Sequence, residues 1–202
     1  MFKRKILSKL EAWKQDERHK PLILRGARQV GKTTVVNEFG SQFDNYLYFN
    51  LEINESVRLF EMDIPLNDLV NMLFASLGKS QKKGSTLIFI DEIQNSPKTI
   101  ALLRYFYEQR PDLYVIAAGS LLENLVDVNV SFPVGRVMYL ALRPCSFYEF
   151  LGAIGKNNLL TILSQKAEYS IAFHEQLMHQ FNQYTIIGGM PEAVQHYAET
   201  QD

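Results

Sequence analysis

One cysteine in 202 residues, Cys145, is too few for a disulfide framework or a Cys-based zinc site, and it points to a reducing compartment. The four histidines, His19, His174, His179 and His196, are too scattered to supply a metal site in its place. No uninterrupted apolar run approaches the roughly 18 to 20 residues that span a bilayer, and the N-terminal MFKRKILSKLEAWK is charged throughout. The expectation is a cytoplasmic protein without a membrane partner. An excess of one charge is missing too: 21 Lys and Arg face 22 Asp and Glu, for a net charge of -1. That excludes a strongly basic protein that holds nucleic acid or anionic lipid by bulk electrostatics. Internal repeats and low-complexity linkers are also missing. What is present is 47% apolar and 21% charged, enough for one sizeable globular core. The charge is unevenly spread, with ten basic and three acidic residues in the first 32, so an anion would go to the N-terminal end.

Residues 2–16 carry Phe2, Ile6, Leu10 and Trp13 at helical spacing, which predicts an amphipathic helix packed on the core. Its basic run, Lys3, Arg4, Lys5 and Lys9, reads as a solvated face, although such residues can touch phosphates. Short apolar runs then alternate with helical stretches: PLILRG (21–26), NYLYFNL (45–51), TLIFID (86–91), LYVIAAG (113–119) and VMYLAL (137–142). This spacing predicts βα units around a mostly parallel sheet. Ser96-Pro97 marks a helix start, and Leu66, Leu69, Val70, Leu73 and Leu77 form a stripe ending at Gly78. After Pro144 the strand pattern stops, and 146–155, 158–166 and 170–187 read as helices, the last closed by Gly188-Gly189 with Pro191 beyond. The expected organisation is an N-terminal helix over 1–20, an α/β core over 21–145 and a helical segment over 146–202, the start of a lid or a C-terminal region.

Gly26-Ala27-Arg28-Gln29-Val30-Gly31-Lys32-Thr33 fits G-x-x-x-x-G-K-[ST] between an apolar strand and a helix. Glycines let backbone N–H groups wrap phosphates, and the helix N-terminus adds its positive end. Lys32 reaches the β and γ oxygens, and Thr33 ligates Mg²⁺. Thr34 continues the loop into the helix, and Arg28 is expected to point away from the phosphates. Asp91-Glu92 close a strand of buried type, which brings them to the sheet's C-terminal edge, where ligands of open α/β sheets sit. Asp91 can hold the water shell of the magnesium, and Glu92 can polarise a water for in-line attack; the plainer alternative is that both cap the next helix. Ser120, after the next strand, is a candidate sensor of the γ-phosphate or an N-cap for a helix from Leu121. Asn50 can hydrogen-bond Glu92 and hold it out of line, or act as a turn residue. Arg136 can neutralise phosphate charge or be a solvated residue.

Taken in order, LRGARQVGKTT, YFNLE, LIFIDEIQ, AAGS, Gly135-Arg136, RPCSFYEF and Gly188-Gly189-Met190-Pro191-Glu192 resemble the AAA-type P-loop ATPase domain of a group of prokaryotic ATPases related to the AAA+ and STAND NTPases. The resemblance covers nearly the whole chain. It implies a three-layer α/β/α P-loop NTPase fold with a five-stranded sheet in the order 5-1-4-3-2. By this similarity Lys32, Thr33, Asp91 and Glu92 take the Walker roles, and Ser120 resembles the sensor-1 position. Asn50 resembles the residue that restrains the catalytic glutamate, and Arg136 lies where AAA+ proteins keep an arginine finger. Pro191 resembles the Gly-x-Pro proline that approaches the adenine. Cys145 departs from the larger apolar residue usual at its position. Proteins of this group usually continue into a C-terminal domain, so the resemblance implies either a truncated gene or a fragment of a longer protein.

The function expected is Mg-dependent binding of ATP and ADP with hydrolysis of ATP. The alternative is a nucleotide-gated interaction switch with negligible turnover. A small-molecule phosphotransferase is disfavoured because the Asp-Glu pair suits water as acceptor, and GTP because no Asn-Lys-x-Asp motif occurs. Self-association or a protein partner fits the reading, and nucleic acid stays open.

Overall fold

The structure, a computed structural model, describes residues 2–120, 133, 135–165 and 171–201. The chain divides into two compact units. One comprises Lys9–Arg28 and Lys32–Leu142, the other Met1–Ser8, Gln29–Gly31 and Arg143–Asp202.

The first unit is built on a parallel sheet. β3 (Thr86–Asp91) is buried at all six positions, as expected of an apolar run covered on both faces. It pairs in parallel with β2 (Asn45–Asn50) on one side and β4 (Leu113–Gly119) on the other. β4 pairs with β1 (Leu22–Arg25), and β1 with β5 (Met138–Ala141), again in parallel. The order β2-β3-β4-β1-β5 is the one implied by the resemblance, with β4 between the phosphate-loop strand and the Asp91 strand.

The helices of this unit are α1 (Ile6–Gln15), whose first residues belong to the other unit, α2 (Lys32–Gly40), α3 (Asn54–Phe60), α4 (Leu66–Ser76) and α5 (Pro97–Gln109). Local chemistry sets their ends. Ser96 Oγ accepts the Thr99 N–H while Pro97, which has no N–H to satisfy, takes the first helical position. Leu69 and Leu73 of α4 and Ile100, Leu103 and Phe106 of α5 pack with Ile88, Ile90 and Val115 of the sheet. Each such burial is worth about 1.5–3 kcal/mol.

The second unit is helical: α6 (Phe147–Ala153), α7 (Asn157–Gln165), α8 (Ile171–Ile187) and α9 (Pro191–Thr200). Phe150 is fully buried at its centre, stacked on Tyr197 with centroids 5.8 Å apart and tilted against Tyr184 at 5.4 Å. Val194 and Cys145 complete this core, and Leu151, Leu159 and Leu177 form a second cluster. No helix among the described residues is long and apolar enough to cross a membrane.

Several elements differ from the sequence expectation. α1 begins at Ile6, leaving Lys3 and Arg4 ahead of it. α3 and a 3-10 turn over Ile93–Asn95 were not signalled, being too short to show a period. Pro191 lies beyond α8 as expected, but the helix α9 that it opens was not signalled. The helix expected from Leu121 lies outside the described residues.

Gly189 is fixed by close approach. The Cys145 N–H donates to Gly189 O at 2.6 Å, and a Cβ on Gly189 would stand 2.5 Å from Cys145 O and 3.0 Å from Pro144 Cβ. Gly189→Ala therefore has to displace backbone, and we expect a loss of about 1–3 kcal/mol, read as a lowered midpoint in urea unfolding.

Candidate nucleotide-binding site

β1 ends at Arg25 and α2 begins at Lys32, so the chain between them runs from the sheet edge to a helix N-terminus whose first N–H groups have no partner within the helix. Two of its residues adopt the left-handed region, Gln29 (φ 63°) and Gly31 (φ 88°). Gln29 carries a Cβ there at a steric cost, the kind of local strain found where a backbone must face a ligand. Arg28 is exposed, and Val30 is buried.

Lys32 is 6% exposed, and its Nζ donates to Gly26 O and Ala27 O at 2.9 Å each. Burial pulls its pKa below the ordinary lysine value; Glu92 and Asp91 oppose that shift, and Arg28 adds to it. An ammonium so placed, held by carbonyls of its own loop, is short of anionic partners.

Thr33 Oγ1 donates to Asp91 Oδ2 at 2.6 Å, joining the loop's helix to the end of β3 across 58 residues of sequence. The Glu92 N–H donates to Asp91 Oδ1 at 3.0 Å. Burial nevertheless raises the Asp91 pKa above the ordinary carboxylate value. The hydrogen bonds from Thr33 and Glu92 N–H offset it only in part, the Glu92 charge adds to the rise, and Lys32 counters it. A hydroxyl and a carboxylate are hard oxygen donors of the kind Mg²⁺ accepts, and a dication beside Asp91 would relieve its burial. The residues present therefore fit that ion.

Glu92 has φ 53°, left-handed for a side chain that gains nothing sterically from it. Its Oε2 accepts from Gln94 Nε2 at 2.5 Å, while Gln94 Oε1 is buried with no partner among the described residues. Asn50 lies beside Asp91 in the sheet register, but its Oδ1 accepts the Glu52 N–H. Of the two roles open to Asn50, its bond to the Glu52 N–H is that of a turn residue, and the Glu92 carboxylate is held by Gln94. The signal for Gln94 was available in its spacing, two residues after Glu92 across a tight turn. Ser120 Oγ, past the end of β4, is buried without a partner among the described residues. Arg136 is 46% exposed and pairs with Glu108 of α5 at 3.0 Å.

In the helical unit, Pro191 and Arg4 flank Gly31: a Cβ on Gly31 would lie 3.7 Å from Pro191 Cγ and 3.6 Å from Arg4 Nη1. Arg4, expected on a solvated face, is 6% exposed. Periodicity could not reveal this, because the residue precedes the helix whose face it was assigned to. Its Nε donates to Glu149 Oε1 at 3.0 Å. Glu149 also closes the α6 capping box with Ser146 and accepts the Lys5 N–H at 2.9 Å.

Burial pushes the Glu149 carboxyl up, but the N–H groups of Ser146 and Lys5 and the Arg4 guanidinium outweigh it and hold the pKa below 4.5. A carboxyl depressed on folding contributes stability above its unfolded pKa, and that stability is lost as pH falls through the folded value. Glu149→Gln should therefore be less stable than the wild type near neutrality, by about 3 kcal/mol for a broken buried pair. The gap should narrow as pH falls below about 4.5, as measured by urea midpoints from pH 7 to pH 3.

Residues 18–151 match the AAA domain family. An uncharacterised protein of Methanocaldococcus jannaschii is 22% identical over 94% of the chain, which spans 42% of that protein's length. Among solved structures, a chain of Drosophila ORC bound to DNA superposes with TM-score 0.53 at 14% identity, over 95% of this chain and 58% of that one. C. elegans PCH-2 gives TM-score 0.41 at 13% identity, over 83% and 49%. The ORC likeness shows the same fold. By the match over residues 18–151, the chain belongs to the AAA domain family, nucleotide-binding proteins of ATPase type.

Proposed function

We propose that this chain binds ATP and ADP with Mg²⁺ and slowly hydrolyses ATP in the cytoplasm. The observation that carries the reading is the 2.6 Å bond from Thr33 to Asp91, which joins the loop to the carboxylate pair of β3. Backbone N–H groups of Gly26 to Thr34 hold the phosphates, and Lys32 exchanges its loop carbonyls for phosphate oxygens. Thr33 and Asp91 hold Mg²⁺, which when bound neutralises charge on the phosphates. Glu92 accepts the proton of an attacking water, and Ser120 offers its unpartnered hydroxyl to the γ-phosphate or that water. Pro191 stands beside Gly31 and borders the nucleotide. Residues 146–202 begin a lid or a C-terminal region.

A second reading, a nucleotide-gated interaction switch, is favoured by two specific contacts. Gln94 engages the Glu92 carboxylate, and Glu108 engages Arg136, so both groups must leave a partner before acting. Turnover that waits on such exchanges is slow, and the bound state itself then becomes the signal.

Lys32→Ala removes one of the few groups neutralising the phosphate charge, and we expect it to weaken Mg-ATP binding by about 2–4 kcal/mol in a calorimetric titration. Unchanged affinity would sink the assignment. Glu92→Gln keeps the size and removes the base, so nucleotide should stay bound while phosphate release falls roughly 10²-fold or more. Equal release from both proteins refutes the role of Glu92, and no release from the wild type favours the switch. Arg136 distinguishes assembly from a self-contained site. If it acts across a subunit interface, the rate per subunit rises with protein concentration, and mixing Arg136→Ala with Lys32→Ala restores part of it; flat specific activity without rescue removes that role.

A further inference from the structure

Arg4 is a buried charged side chain of the helical unit with all three of its guanidinium nitrogens engaged. Its Nη1 donates to Val30 O at 3.0 Å, Nη2 to Arg143 O at 2.7 Å and Nε to Glu149 Oε1 at 3.0 Å. A solvated pair would have tethered the N-terminus with little desolvation, whereas a guanidinium this far from water has to be repaid by well-formed contacts. Two of the three acceptors, Arg143 O and Glu149 Oε1, lie in the stretch from Arg143 onward and serve to hold the guanidinium. The third, Val30 O, is the backbone of the glycine loop.

The Val30–Gly31 peptide is trans, so its C=O and N–H point in opposite directions. Fixing the oxygen on Arg4 therefore aims the Gly31 N–H away from Arg4. Nothing local would fix it otherwise, since glycine turns its peptide plane at little cost and Gly31 already sits at φ 88°. A Cβ at Gly31 would meet Arg4 Nη1 at 3.6 Å, an ordinary contact, so the guanidinium lies directly against this residue.

We propose that Arg4 is a positioning residue for the phosphate loop: its grip on Val30 O presents the Gly31 N–H to the phosphates of the bound nucleotide. This rests on the reading of the loop as a nucleotide site. Glu149 and Arg143 O hold the fork of Arg4 in place, and a lysine, with one point charge and no fork, cannot satisfy all three acceptors. The contribution is preorganisation: a loop already turned toward its ligand loses less on binding.

The test is calorimetric titration of wild type, Arg4→Lys, Arg4→Ala and Lys32→Ala with Mg-ADP and, separately, with inorganic pyrophosphate. Amide hydrogen exchange of Gly31 in the wild type is measured alongside. Arg4→Lys keeps the charge that Glu149 needs, and we expect it to bind both ligands on the order of 10-fold more weakly, by the same factor, because the defect lies at the phosphates. The Gly31 N–H of the wild type should exchange freely alone and become protected with either ligand. Equal affinity of Arg4→Lys and wild type overturns the proposal, as does a loss for ADP that pyrophosphate does not share. A Gly31 amide that stays unprotected in the ADP complex overturns it even if both Arg4 variants fail to fold. If the wild type binds neither ligand, or Lys32→Ala binds as the wild type does, the nucleotide reading itself fails and the proposal falls with it.

Discussion

A parallel strand buried along its whole length has to end somewhere, and in this chain it ends on a carboxylate. β3 has no exposed position from Thr86 to Asp91, and after Thr86 the next polar side chain it offers is Asp91, at the sheet's C-terminal edge and itself 3% exposed. An isolated carboxylate in that position is expensive, and the surroundings are arranged to carry it. The Thr33 hydroxyl and the Glu92 N–H each donate to one of its oxygens. Satisfying Asp91 from Thr33 places the first turn of α2 against the end of β3, and satisfying it from its own neighbour turns Glu92 into a left-handed conformation. The geometry of the proposed chemistry follows from the need to keep one buried charge hydrogen-bonded.

The same reasoning explains why so much of this unit was legible. Long apolar runs bounded by turn residues report burial, and TLIFID and LYVIAAG are the spans of β3 and β4 to the residue. Ser96-Pro97 reports a helix start because the cap and the missing N–H are local physics. The glycine loop is legible since few other backbones need Gly at both of its positions. What stayed hidden depends on tertiary partners. Arg4 reads as one more base in a charged run, and only Val30, Arg143 and Glu149, up to 145 residues away, make it a buried residue. Gln94 was overlooked because the resemblance directed attention to Asn50, whose side chain is drawn instead to the Glu52 N–H two residues along. The helix that Pro191 opens was not legible, because a proline after a glycine pair serves equally well as a residue beyond a helix end or as the first residue of a new helix.

Two residues with side chains, Gln29 and Glu92, take positive φ in the site, and the contrast between them is informative. Gln29 precedes a loop residue whose carbonyl is gripped by Arg4, so its strain is held by a contact one residue away. Glu92 is held by the Asp91 carboxylate on its N–H and by Gln94 on its side chain. Both conformations persist because neighbours over-determine them, at a cost of order 1–3 kcal/mol each, which an unconstrained chain would relax away.

That constraint bears on rate. A catalytic base is useful in proportion to how freely it can reach the water it must deprotonate, and the Glu92 carboxylate is tied to a glutamine whose own oxygen is buried and unsatisfied. Releasing Glu92 also leaves the part-buried amide of Gln94 to find a new partner. If Glu92 is the base, as proposed, Gln94 favours the state in which its carboxylate is engaged. On the proposed reading, each turnover would wait on that exchange, and a slow step of this kind is what a nucleotide-gated switch requires.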